Sequence, residues 1–173
     1  MNKFTLLLSL FLAFSVPKGS NAQATVSKAE ISFEFVSKGV KGTIEGFESA
    51  SRIDFDNPEN SSFEGSVAVK SLDTNNGLRN WSLRSGKYFD ADDFPRIQFK
   101  STSVSQKDAS LVVNGDLTLK GITKPITIDF IKKGNQLKGS TSIYSYDYGI
   151  KIKKKREDNL VNITLLFNLD NPK

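Results

Sequence analysis

The chain has 173 residues, a formal charge of +5, and neither cysteine nor histidine. That length is enough for one domain with its own hydrophobic core. The missing residue types exclude disulfides, histidine-based triads, histidine metal sites and the usual near-neutral acid–base group, and the modest charge gives no reason to expect nucleic acid as a partner.

The first 22 residues read as a secretory signal peptide: a positive start at Lys3, an apolar run from Phe4 to Val16, and small residues at Ala22 and Ala24 for cleavage. One domain is then expected over residues 23–173, at a periplasmic or secreted address, and soluble because no cysteine can carry a lipid anchor. From Ile31 the code has period two: Ile31, Phe33 and Phe35 alternate with Ser32 and Glu34, as in a half-buried strand. Gly39, Gly42 and Gly46, flanking Ile44, are read as a bend or bulge. Ile53 and Phe55 resume the alternation, Asp56 to Asn60 turns the chain, and Phe63, Val67 and Val69 continue the apolar face.

Residues 71–102 break this pattern. Asn76-Gly77 is a turn signal, and Leu78, Trp81 and Leu83 are expected on one face of a short helix capped by Thr74 or Asn75. Tyr88, Phe89 and Phe94 surround Asp90, Asp92 and Asp93, and Pro95 ends any helix.

Alternation then returns at Ile97 and Phe99, at Leu111, Val113, Leu117 and Leu119, and at Ile126, Ile128 and Phe130, with turns at Lys107-Asp108 and Gly134-Asn135. Ile143 to Ile152 is more polar and tyrosine-rich, and is read as an exposed edge that offers itself to a second copy as a homodimer contact. The run Lys151, Lys153, Lys154, Lys155 and Arg156 reads either as a solvated hairpin or as a transient contact with an anionic membrane surface. Val161, Ile163, Leu165, Phe167 and Leu169 form a long last strand. About eight strands and one helical interruption predict an all-β antiparallel domain. A barrel and a two-sheet sandwich share this local code, and the alternation leaves both a filled core and an open bore standing.

Several motifs in series carry a resemblance. They are Ser71-Leu72-Asp73-Thr74, the run Arg79-Asn80-Trp81-Ser82-Leu83-Arg84-Ser85, Tyr88-Phe89-Asp90, Phe94-Pro95-Arg96-Ile97-Gln98-Phe99-Lys100, and Val113-Asn114-Gly115-Asp116-Leu117 through Gly121 to Pro125. In order and spacing the chain resembles the YceI-like family over roughly its whole mature length. The resemblance implies an eight-stranded lipocalin-like antiparallel barrel with a short helical insertion, exported, non-catalytic and without a cofactor. Its ligand would be a lipid: a polyisoprenoid such as a quinone or polyprenyl phosphate, or a similar long-chain amphiphile.

On that reading the ligand is lined by Phe33, Phe35, Ile44 and Phe47 early in the chain and by Phe55, Val67 and Val69 next. Ile97, Phe99, Leu117, Leu119, Phe130, Ile163 and Leu165 complete the wall. Trp81, Leu83, Tyr88, Phe89 and Phe94 stand at the entrance. Arg79 and Arg84 are the head-group candidates, unless Asp73, Asp90 or Asp92 claims them. The chain departs from the family's pattern at Asn80 and Ser82, where an aspartate and a histidine are frequent, and at Ser145, where an arginine is frequent. These are losses of polar groups, so they bear on the head group and not on the barrel. The competing expectation is an interaction module with a filled core and no ligand, acting through its surface.

Overall fold

The period-two segments fold as strands that share one sheet. A computed structural model describes residues 23–170, and the expected signal peptide lies outside them. The strands are β1 (Thr25–Phe35), β2 (Val40–Ile44), β3 (Glu48–Ser49), β4 (Glu64–Ala68), β5 (Arg96–Lys107), β6 (Ser110–Leu119), β7 (Ile122–Lys133), β8 (Gln136–Tyr144) and β9 (Leu160–Asp170), with one helix, α1 (Gly77–Arg84). All pairings are antiparallel, in the order β2-β1-β9-β8-β7-β6-β5-β4-β3.

The sheet therefore has nine strands where eight were expected, and it curls into a half-barrel whose outer strands β2 and β3 share no ladder. Isolated contacts join the two sides instead. Thr43 and Asp73 exchange backbone bonds of 2.8 and 3.0 Å, and the Ala68 N–H donates to the Glu45 carbonyl at 3.0 Å. Ala24 and Ile53 exchange two more, of 2.8 and 2.9 Å. These bonds satisfy backbone groups that an open edge would leave to solvent or to another chain.

Three local expectations are corrected. Ile53 and Phe55 do not form a strand, because the buried Asp54 carboxylate accepts from the Asp56 and Asn57 N–H groups at 3.0 and 2.8 Å and turns the chain. The segment from Ile143 to Ile152 is not a free edge strand: β8 ends at Tyr144 and Ser145–Tyr148 is a 3-10 turn. Only Thr141 to Tyr144 lack a β7 partner, and there the Thr141 hydroxyl donates across the gap to the Thr127 carbonyl at 2.7 Å. Finally, Gly42 is no bulge. It pairs with Phe33 in regular register, and the Phe33 ring lies where a Cβ on Gly42 would stand.

The same device recurs at Gly139, opposite Phe130. A methyl there would meet the Phe130 ring at 2.5 Å. That ring cannot retreat, because it stacks on Phe63 and packs at a tilt against Phe167, with centroids 5.1 and 5.5 Å away. Gly139→Ala should therefore cost roughly 1–3 kcal/mol by overpacking. Urea unfolding checks the size of this loss, and a cost that vanishes in a Phe130→Leu background assigns it to the ring.

The strand directions sort the connections to two ends. The β1–β2, β4–β5, β6–β7 and β8–β9 connections all emerge at one end, where α1 also sits. The other end is packed solid by Ala24, Ile53, Phe63, Val104, Val113, Phe130, Leu137 and Phe167. Among the described residues no helix is long and apolar enough to cross a membrane.

Candidate functional site

Inward-facing side chains behave differently at the two ends. At the packed end Val113 and Leu137 are fully buried. Toward the α1 end Ile31, Phe33, Ile97, Phe99, Val161, Ile163 and Leu165 also face inward, yet each is only half-buried. A wall residue keeps accessible surface only if nothing fills the space in front of it. That space is a cavity of about 390 Å3, within the range of small-molecule sites. It is open at the α1 end, and its floor is the aromatic group of Phe47, Phe63, Phe130 and Phe167.

Most residues expected at the site are brought together on this cavity. Phe33, Phe35, Ile44, Phe47, Val67, Ile97, Phe99, Leu117, Leu119, Phe130, Ile163 and Leu165 line it, and Leu83 and Phe89 reach it from the α1 connection. Five do not. Phe55 leaves with the Asp54 turn and lies under the Lys132 ammonium, 4.7 Å from the ring centroid. Val69 opens a 3-10 turn that rotates it off the wall, although it is buried. Phe94 packs over Gly121 instead of the cavity. Trp81 is 75% exposed. Its expected partnership with Leu83 fails on geometry: at about 100° per residue the two stand on nearly opposite sides of a helix. Arg84 also lies off the cavity. Its Nη2 donates to the Leu72 carbonyl at 2.8 Å, and its Nε is buried without a partner.

Tyr88, expected at the entrance, also lines the cavity, and sequence reasoning missed Leu72, Ile150 and Ile152, which line it too. They sit in connections, where no alternation announces which way a side chain points. Ile31, Ile143 and Val161 carried the alternating signal and complete the wall.

The polar groups at the mouth form one chain of bonds. Asn76, not Thr74 or Asn75, caps α1 by accepting from the Arg79 N–H at 2.9 Å. Thr74 is thereby free to hold Arg79, whose Nε donates to the Thr74 hydroxyl at 2.7 Å and whose Nη2 donates to the Thr74 carbonyl at 2.6 Å. The Thr74 hydroxyl donates to Asn80 Oδ1 at 2.6 Å, and Asn80 Nδ2 donates to Asp73 at 2.7 Å. That last bond, then the Asn75 N–H, hold the Asp73 carboxyl below its usual range. Arg79 is the one head-group candidate that reaches the cavity, fixed at its mouth. Asp92, a possible rival for it, is taken by Lys70 at 2.7 Å.

Across the mouth, Arg156 forms a bidentate pair with Asp147, at 2.7 and 2.5 Å, and covers the Tyr144 ring at 3.8 Å. Arg156 is thus committed within the fold. Burial, and then the Asp147 charge, push the Tyr148 phenol up to about 12, so it is a poor base near neutral pH.

The model of the YceI-like domain matches residues 16–169. A UPF0312 protein of Vibrio campbellii is 36% identical over 146 residues, covering 78% of this chain and 77% of that protein. A UPF0312 protein of Photorhabdus laumondii is 38% identical over 88 residues, a match that covers 51% of this chain and only 46% of that relative. Among solved structures, Burkholderia cenocepacia BcnA aligns with a TM-score of 0.70 at 19% identity, over 84% of this chain and 98% of its own. A polyisoprenoid binding domain from Saccharophagus degradans, implicated in plant cell wall breakdown, aligns with a TM-score of 0.59 at 11% identity, over 88% and 99%. At these identities the two structures speak for the fold.

Proposed function

Because the chain belongs to the YceI-like family, we propose that its cavity holds the tail of one long-chain lipid, and that the protein carries or sequesters that lipid without transforming it. The observation that carries this reading is the half-buried apolar wall above a packed aromatic floor. An unfilled hydrocarbon surface of that kind is a standing cost in water, and an apolar tail removes it. Each buried methylene contributes roughly 0.8 kcal/mol, so about a dozen carbons gain on the order of 10 kcal/mol before ordering costs. The polyisoprenoid-binding neighbour of like fold supports a prenyl chain as the ligand class.

In this reading residues 1–22 direct export, and the carrier works in the periplasm or outside the cell. Arg79, held by Thr74, faces the head group and suits a phosphate or a quinone oxygen. The alternative, a filled module acting only through its surface, accounts for the packed end but leaves the upper wall unexplained. Solvent extraction of natively purified protein, followed by mass spectrometry, tests the proposal. One long-chain lipid per protein is the expected result, and repeated preparations without stoichiometric lipid would refute it.

A further inference from the structure

Large apolar side chains are exposed at five described positions, and four of them surround the cavity mouth. Leu78 and Trp81 on α1 are 83% and 75% exposed, Val36 on the β1–β2 connection 42%, and Ile122 at the start of β7 38%. Only Ile131 lies toward the packed end. The four come from three separate connections, so no single amphipathic segment explains them.

The connections are tied into one rim. Ser37 Oγ donates to the Asp158 carbonyl at 2.7 Å, Lys120 Nζ donates to the Gly86 carbonyl at 2.8 Å, and Ile122 lies beside Gly149. The basic run sits in the same rim and is a built turn, not a loose hairpin. The buried Asn159 side chain accepts from the Ile152 and Lys153 N–H groups at 2.9 Å each, and donates to the Lys153 and Lys155 carbonyls at 3.0 and 2.6 Å. With Arg156 paired to Asp147, the free cations of this turn are Lys153, Lys154 and Lys155, and none of the three has a salt-bridge partner among the described residues.

We propose that this rim docks the open mouth onto an anionic phospholipid bilayer. Trp81 and Leu78 enter the boundary between head groups and acyl chains, and Lys153 to Lys155 meet the anionic head groups. An indole with one apolar body and one polar N–H favours that boundary. Clustered lysines and exposed apolar side chains on one rim give the paired signals that surface binding needs. The proposal rests on the carrier reading for its purpose: docking mouth-down lets a tail pass between bilayer and cavity without crossing water.

Trp81 is the chain's single tryptophan, so its emission reports on the rim alone. The experiment adds wild-type protein to vesicles of phosphatidylcholine, with and without phosphatidylglycerol, and follows emission and co-sedimentation. A blue shift and co-sedimentation with the anionic vesicles are expected. L78A/W81A and K153E/K154E/K155E should each lower co-sedimentation roughly tenfold or more, with circular dichroism unchanged because the altered side chains lie at the surface. No shift at saturating phosphatidylglycerol, or binding retained in either variant, overturns the proposal and gives the rim to another partner. The carrier reading fails separately: protein that docks but yields no extractable lipid sinks that reading, and lipid-loaded protein that ignores vesicles sinks only the docking.

Discussion

Ile163→Trp is expected to weaken binding of geranylgeraniol about 100-fold, with the melting temperature held within a few degrees. Ile163 pairs with Phe33 on one side and Thr141 on the other, and its side chain faces the cavity half-buried. The added indole has empty space to enter, so it should displace ligand and not neighbouring side chains. If it takes the room of about four methylenes, the loss is roughly 3 kcal/mol, which is the stated factor. Isothermal titration in dilute detergent measures it. Ile131→Ser, at the packed end, serves as the control with unchanged affinity. Unchanged binding by the tryptophan variant would mean that the ligand sits elsewhere.

The second large effect is on stability. Phe130→Ala should cost about 3–5 kcal/mol and lower the melting temperature by roughly 10 °C. Phe130 is 1% exposed, stacks on Phe63, packs at a tilt against Phe167, and fills the place left by Gly139. Its removal takes away transfer energy and leaves a void that the paired strands on either side cannot collapse into. Denaturant unfolding is the measurement. A loss below about 1 kcal/mol would show that the floor is held mainly by something other than this ring.

The wall was legible because a strand writes its facing into every second residue. Phe33, Phe99, Leu117, Ile163 and Leu165 stand on the face that alternation gives them. Elsewhere the signal ended for physical reasons. Asp54 uses its own carboxylate to turn the chain, so Phe55 leaves a face that its spacing alone would give it. Leu72 and Ile150 reach the cavity from connections, where facing depends on tertiary bonds such as Thr43–Asp73 and the 2.9 Å bond from the Ser145 hydroxyl to the Ile150 carbonyl. On α1, three apolar residues suggested one face, but eight residues make just over two turns, and Leu83 looks inward while Leu78 and Trp81 look out. Apolar character alone therefore does not tell that Trp81, expected at the entrance, stands on its outer side and off the lining. Gly42 read as a break in a strand, because a sequence does not show that a ring from the next strand will lie over it.

The packed aromatic floor makes the cavity a dead end, and that turns it into a ruler. A tail threaded from the rim must leave by the route it came, losing its contacts in reverse. Each further carbon should slow departure about fourfold, the factor that roughly 0.8 kcal/mol per methylene implies. The progression should stop at the length whose tip touches Phe130, and longer homologues should all depart at one common rate, with their surplus left outside.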